Sequence, residues 1–166
     1  RRLLTVEDTA ELQVYHDHWL RMETRRERPD GTPEVDMNDC LKSSLRMRPD
    51  RIIVGEVRGP EAATLLTAMN TGHDGSFGSL HANTAQETVT RMINPPMNVP
   101  PIMLTGLDLI IIQARLHVNG KTARKITEVA EIAGMEGSKP RLNTIWKYNA
   151  ATDQIEETGI PSNLRE

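Results

Sequence analysis

This chain has 166 residues, 37% of them hydrophobic and 26% charged, with a formal net charge of −3. Length and composition predict one compact globular domain with at most a small second part. The longest apolar run, Leu109–Ile112, is far shorter than the ~20 residues of a membrane-spanning helix, so we expect no transmembrane segment. The start of the chain, Arg1–Asp8, contains no apolar signal-peptide stretch, and secretion is not expected. The single Cys40 excludes an internal disulfide, and a pI near 6.0 argues against a nucleic-acid partner.

The first predicted element is a short apolar strand over Leu3–Val6, which ends at Glu7 and Asp8. The charged segment between Glu11 and Gly31 fits either an exposed hairpin or a long loop. Its conformation is therefore left open.

Strand and helix patterns alternate over the next part of the chain. The apolar run Ile52–Val54 is typical of a strand buried on both faces of a parallel sheet. The predicted elements are a helix capped by Asp36, a strand over Arg51–Val57, a helix from Pro60 with its stop at Gly72, a strand over Gly78–His81 and a helix capped by Thr84 with Glu87. This alternation predicts a doubly wound α/β fold with a mainly parallel sheet.

The last third of the chain has a different pattern. Four prolines between Pro95 and Pro101 predict a rigid connector. Strands over Leu109–Val118 and Arg124–Ala133 flank a hairpin turn at Asn119 and Gly120. A last strand, Leu142–Tyr148, alternates so that Leu142, Thr144, Trp146 and Tyr148 share one face. We therefore expect an antiparallel part over residues 95–166 after a parallel part over residues 1–94.

Polar side chains follow each of the three predicted parallel strands. The clusters are Glu7, Asp8 and Glu11 after the first strand, Glu56 and Arg58 after the second, and His81 and Asn83 after the third. The carboxyl ends of parallel strands share one edge, where α/β folds bind ligands, so we expect the clusters to face one crevice. Each cluster alone would also fit ordinary polar strand ends in contact with solvent.

Carboxylates beside arginines in such a crevice suit phosphoryl transfer. One acid can hold a magnesium ion, another can orient or deprotonate water, and an arginine can neutralise the departing phosphate. The pattern predicts metal-dependent hydrolysis of a phosphoanhydride.

Three segments resemble the motifs of one ATPase family. LLTVEDTAEL resembles its Asp box, LRMRPDRIIVGEVRGPEA its Walker B motif and TGHDGSFGSLHANT its His box, in the family's order. The chain thus resembles the type II/type IV secretion ATPases, which power secretion, pili and archaeal-type flagella. The segments HDHW and PPMNVPP further resemble the archaeal pilus and archaellum branch. The resemblance implies the C-terminal part of a RecA-like ATPase core over residues 1–94, and a connector with the family's C-terminal subdomain of antiparallel strands over residues 95–166.

The resemblance also implies that ATP and Mg²⁺ are the cofactors and that three residues are catalytic. Glu11 would activate or position the attacking water, Glu56 would act on Mg²⁺ through water, and His81 would sense the γ-phosphate. Gly55 stands where many other Walker B motifs have an aspartate, so the metal would be held less directly. Further candidates for nucleotide or intersubunit contacts are Glu7, Asp8, Arg46, Arg48 and Arg58.

The phosphate-binding loop GxxxxGK[ST] does not occur in this sequence. Its only GKT, Gly120–Thr122, falls in the predicted hairpin turn and has Arg115 where the first glycine would stand. We expect the chain to be the C-terminal half of a catalytic domain and to be inactive alone. The resemblance implies a hexameric ring at the cytoplasmic face of the cell membrane, with a membrane platform protein as partner.

Two other functions fit the sequence. The first is a non-catalytic scaffold or interaction module that kept the RecA-like fold and lost its phosphate loop. The second is a nucleic-acid-handling relative, which the acidic charge balance disfavours.

Overall fold

The computed structural model describes residues 1–118 and 120–164. It divides the chain into two compact units, the first comprising Arg1–Leu80 with Pro95–Val99 and the second His81–Asn94 with the chain from Pro100 onward. Within these described residues, no helix is both long and apolar enough to cross a membrane.

The first unit is built on a four-stranded parallel sheet. Its strands are β1 (Leu3–Glu7), β2 (Trp19–Glu23), β3 (Arg51–Val54) and β4 (Phe77–Gly78), in the order β2–β1–β3–β4. The predicted mainly parallel α/β architecture is confirmed.

Strands β1 and β3 form the centre of this sheet. Leu4 and Val6 of β1 are fully buried, as are Ile52 and Val54 of β3. Thr5 and Ile53, whose side chains point to the opposite face, are buried as well, because the strands are covered on both sides. Strand β3 ends at Val54, three residues earlier than predicted, so Gly55–Val57 already belong to the loop that follows.

The two edge strands differ from the sequence predictions. Strand β2 lies in the segment left open, where half-exposed residues gave no clear apolar pattern. Strand β4 covers Phe77–Gly78, so the prediction of a strand over Gly78–His81 is wrong. The N–H of Ser79 still donates to the carbonyl of Val54 at 3.3 Å, but its own carbonyl accepts the backbone N–H of Val57 at 2.7 Å, so the regular ladder between β3 and β4 ends at Gly78.

The helices of the first unit begin and end close to the predicted residues. Helix α1 (Met37–Leu45) has Asp36 as its N-cap, and Asp36 and Asp39 form a reciprocal capping box. Helix α2 (Glu61–Asn70) begins one residue after the predicted start, with Pro60 at the N-cap. Gly72 follows its end with a φ of +98°, a left-handed conformation that glycine adopts without steric cost.

The second unit is built on a four-stranded antiparallel sheet. Its elements are α3 (Ala85–Ile93), a 3₁₀ helix (Pro101–Gly106), β5 (Leu109–Val118), β6 (Lys121–Glu136), β7 (Lys139–Asn149) and β8 (Gln154–Glu157), with strand order β5–β6–β7–β8. The predicted antiparallel arrangement is confirmed, although β8 was not predicted. In the predicted turn, Asn119 lies outside the described residues, while Gly120 has a φ of +74°.

Helix α3 is joined to this sheet at its first turn. The Thr84 hydroxyl accepts the N–H of Glu87 at 3.0 Å, as the capping pattern predicts. The Glu87 carboxylate takes the N–H of Asn83 instead of that of Thr84. Glu128 on β6 accepts the N–H of Ala85 at 2.8 Å, which fixes the start of the helix against the sheet.

A bulge in β7 overturns the prediction that Leu142, Thr144, Trp146 and Tyr148 share one face. The pairing of β6 with β7 shifts between Val129, which is opposite Trp146, and Ala130, which is opposite Thr144. Ile145 is the additional residue, so Thr144 and Trp146 point to different faces.

Glu131 on β6 holds the C-terminal segment against the sheet. Only 2% of this residue is exposed, and its carboxylate accepts hydrogen bonds from the Ser162 hydroxyl and, at 3.0 Å, from the N–H of Asn163. The hydrogen bond from Ser162 is the main cause that lowers the pKa of Glu131, with the N–H of Asn163 adding to it. The ionised form therefore stabilises the folded chain.

We expect the stabilisation from Glu131 to depend on pH. Because its pKa in the folded state lies below the ordinary value of about 4.3, the contribution is complete above that pH and is lost as the pH falls through the lowered pKa. Urea denaturation at stepwise lower pH should therefore show Glu131→Gln less stable than the unmodified chain near pH 7, with a difference that shrinks on acidification. Glu136→Gln, at the exposed end of the same strand, is the control. A difference that is constant over this range would contradict the expectation.

Candidate functional site

Two loops leave the carboxyl edge of the parallel sheet side by side. Residues 8–12 follow β1 and residues 55–60 follow β3, and these strands are hydrogen-bonded neighbours with Val6 opposite Val54. The N–H of Gly55 continues this pairing with a 2.8 Å bond to the carbonyl of Val6. The sequence predicts that the first two polar clusters share one edge. The backbone positions of the two loops confirm this prediction.

A buried carboxylate holds the first loop. Glu7 is 2% exposed, and its Oε1 accepts the N–H groups of Glu11 at 2.9 Å and Leu12 at 2.7 Å. Its Oε2 lies 3.6 Å from Nε of Arg21 on β2. Charge-assisted hydrogen bonds to backbone N–H groups are stronger than neutral ones, so this contact fixes the path of the loop.

A second buried carboxylate holds the loop after β3. Glu61, in the first turn of α2, is 5% exposed, and its Oε1 accepts the N–H groups of Arg58 at 2.6 Å and Gly59 at 2.8 Å. A Cβ at residue 59 would lie 3.1 Å from Oε2 of Glu61, which leaves little room for a larger residue there. Sequence reasoning did not select Glu61, although an acid directly after Pro60 is a helix-start signal.

The outward-facing side chains of these loops form the candidate site. Glu56 makes an ion pair with Arg58, and the side chain of Arg58 is 67% exposed. The hydrogen bond to Glu56 raises the pKa of Arg58, and the negative charge of Asp8 acts in the same direction. Asp8 itself accepts the Thr24 hydroxyl at 2.6 Å. The carboxyl edge therefore combines acids with a guanidinium, as the sequence predicts.

Glu11 is exposed at this edge and has a fixed backbone. Its carboxylate makes no hydrogen bond or ion pair with another residue in the part of the chain that the structure describes. Because only the main chain of Glu11 is held, the oxygens of its carboxylate are available to water or a cation.

Arg46 and Arg48 lie at the other edge of the sheet. Both residues lie in the turn before β3. In this turn the carbonyl of Met47 accepts a hydrogen bond from the guanidinium of Arg2, which directly precedes β1. Within one copy of the chain, Arg46 and Arg48 therefore do not contact Glu56, which lies at the carboxyl edge. Their role as intersubunit charges stays a prediction.

His81 is the first residue of the second unit and is exposed. Its place beside Glu11 and Glu56 stays a prediction. Glu7, also predicted to bind the nucleotide, has its carboxylate buried against the loop backbone.

The chain matches the family model described as "Type II/IV secretion system protein" over residues 1–155. It belongs to this family. The fold of the two units also agrees with that of solved members.

Relatives with curated sequences include a probable conjugal transfer protein, TrbB, of Sinorhizobium fredii, 46% identical over 94% of this chain and 44% of the relative. An uncharacterized protein of Methanocaldococcus jannaschii is 36% identical over 99% of this chain and 61% of its own length. The chain therefore spans about half the length of these relatives.

The solved structures that match this chain include two with 30% identity or more. The VirB11 ATPase of the Brucella suis type IV secretion system, in complex with sulphate, gives a TM-score of 0.62 at 30% identity and covers 78% of this chain and 40% of its own. The pilus retraction motor PilT with bound ADP gives a TM-score of 0.54 at 32% identity over 76% of this chain and 37% of its own.

We expect Glu61→Ala to destabilise the chain by about 1–3 kcal/mol, because two backbone N–H groups lose their acceptor. Glu61→Gln keeps an amide oxygen in the same place and should cost less. Chemical denaturation of the three proteins measures both differences. Equal losses for alanine and glutamine would show that the hydrogen bonds to Arg58 and Gly59 do not hold the loop.

Proposed function

We propose that this chain is part of the catalytic domain of an ATPase that drives a secretion or pilus machine. The observation that carries the proposal is the pair of loops at one sheet edge, each held by a buried glutamate, which bring Glu11, Glu56 and Arg58 to that edge. Ligands of α/β folds bind outside the carboxyl ends of the strands, where these side chains lie. Membership of the secretion family supports ATP as the ligand.

Within this proposal, Glu11 orients the attacking water or accepts its proton. Its carboxylate is exposed and its backbone is fixed, which is the combination that a general base needs. Arg58, whose guanidinium is always charged, neutralises negative charge that develops on the phosphoryl oxygens.

The residues present fit a magnesium ion. Among the described residues no group of three or more metal-ligating side chains occurs, so a complete protein cage is not formed. Magnesium is commonly held by one or two carboxylates, several waters and the phosphates of the substrate, so Glu56 would hold it through water. When bound, the ion would neutralise charge on the nucleotide phosphates. Glu56 would then exchange part of its ion pair with Arg58 for the hydrated cation.

The proposed site would have three further parts: a phosphate loop, an arginine from a neighbouring copy of the chain, and His81. We propose that the phosphate loop lies in a region that the longer relatives contain and that this sequence does not. We further propose a hexameric ring of the full-length protein, bound at the cytoplasmic face of the membrane to a platform protein. An arginine from a neighbouring copy, Arg46 or Arg48, and His81 would then complete the response to the γ-phosphate.

We expect Glu11→Gln and Glu56→Gln in the full-length protein to lower kcat for MgATP by at least ~10²-fold, because each removes a carboxylate that acts on water or metal. The Kd for MgATP should stay within about threefold, since neither residue binds the phosphates directly. Steady-state ATPase assays and nucleotide titrations measure the two quantities.

Asp17→Asn is the matched control, because Asp17 is an exposed carboxylate before β2, at the amino edge of the same sheet. Its kcat should equal that of the unmodified protein. Equal loss of nucleotide affinity in both glutamine variants would reject the proposed roles. If MgATP does not raise the melting temperature of the full-length protein, the non-catalytic scaffold is the better description.

A further inference from the structure

A polar network lies between β1 and β2, beneath the loop that carries Glu11. We call Thr5, Glu7, Trp19 and Arg21 the Glu7–Arg21 network. The parallel register places Thr5 opposite Arg21 and Glu7 opposite Glu23, and side chains two residues apart in a strand share a face. The four side chains therefore lie on one face of the sheet.

In addition to its position 3.6 Å from Glu7, two contacts fix the guanidinium of Arg21. Its centre lies 4.4 Å from the centroid of the Trp19 ring, within the range of a cation–π interaction. The indole N–H of Trp19 donates to the hydroxyl of the buried Thr5 at 3.0 Å, which orients the ring. Arg21 also donates to the backbone carbonyl of Leu12.

The network binds the loop at the peptide groups around Glu11. The carbonyl of Leu12 is bound by Arg21, while Oε1 of Glu7 accepts the N–H groups of Leu12 and Glu11. Glu23, the next residue on the same face of β2, accepts the N–H of Ala10 at 2.8 Å. The main chain on both sides of Glu11 is therefore fixed, while its side chain is exposed.

The carboxylate of Glu7 is already occupied by these contacts. One oxygen accepts two N–H groups, and the other is buried without a hydrogen-bond donor, 3.6 Å from Nε of Arg21. A carboxylate in this position would repel the phosphates of a nucleotide if it were turned toward them. The geometry of the Glu7 carboxylate therefore suits a residue that holds the loop in place.

We propose that Glu7 and Arg21 are positioning residues for Glu11. The buried Glu7 and the partly exposed Arg21 set the place of the Glu11 backbone, so that the carboxylate of Glu11 reaches the attacking water. This inference rests on the proposed function, in which Glu11 acts on that water. It differs from the prediction that Glu7 contacts the nucleotide.

The test uses steady-state ATPase kinetics of the full-length protein with Glu7→Gln, Glu11→Gln and the double variant. Glu7→Gln keeps the shape of the side chain but loses the charge that Arg21 and the two N–H groups bind. We expect kcat to fall about 10–100-fold, as for other residues that orient a catalytic group, with KM and Kd for MgATP within about threefold. The double variant should be no slower than Glu11→Gln, because Glu7 acts only through Glu11.

Arg21→Lys and Arg21→Gln provide a second series. Lysine keeps the positive charge beside Glu7 but cannot bind the carboxylate and the Leu12 carbonyl in the same fork geometry. We expect kcat to fall in the order unmodified, lysine, glutamine. If Glu7→Gln does not fold, Arg21→Lys with and without Glu11→Gln gives the same comparison.

Glu131→Gln is the control for a general loss of stability. Glu131 is also a buried glutamate that accepts a backbone N–H, but it lies in the second unit. Its melting temperature should fall while kcat is unchanged.

The possible results separate the two proposals. Multiplied losses in the double variant, or a raised KM with unchanged kcat in Glu7→Gln, would overturn the positioning role and leave the proposed function in place. Full turnover by Glu11→Gln would overturn the proposed role of Glu11 and the positioning role with it.

Discussion

The structure of the candidate site depends on buried carboxylates that accept backbone N–H groups. A loop at the end of a parallel strand has donors that no neighbouring strand satisfies, and a buried donor without an acceptor is unfavourable. Glu7 and Glu61 each supply an acceptor for two such donors. The cost of burying the charge of Glu7 is offset by the same N–H groups and by Arg21 nearby.

In the proposed function, the residues that hold the loops differ from those that act on the substrate. The buried glutamates determine where the loops run, whereas Glu11 and Arg58 are exposed at the edge and Glu56 is partly exposed there. A catalytic group needs a defined position but also access to water and substrate, and these demands conflict for a single side chain. Here one set of charged residues, the buried glutamates, provides the defined position. A second set, at the edge, provides the access, although the two sets look alike in the sequence.

Much of the fold was predictable from local patterns. The capping box at Asp36 and Asp39, the apolar strand Ile52–Val54 and the cap at Thr84 depend on neighbours within a few residues, so the sequence shows them directly. Elements that depend on distant partners were missed or misplaced. Strand β2 forms because β1 offers it a parallel partner, and β4 is short because Ser79 bonds the loop after β3.

For the candidate site, the sequence by itself determined which chemical groups follow each strand, because the order of residues fixes what comes after Val6 and Val54. Motif order also identified the family. Only the tertiary structure decided which of these groups are buried. Glu7 and Glu11 are both acidic and four residues apart, yet Arg21 from another strand and the N–H groups of a folded loop surround only the first. Glu7 is buried because Arg21 comes from the neighbouring strand and because the loop after β1 folds back onto the Glu7 carboxylate, and neither can be read from the order of residues.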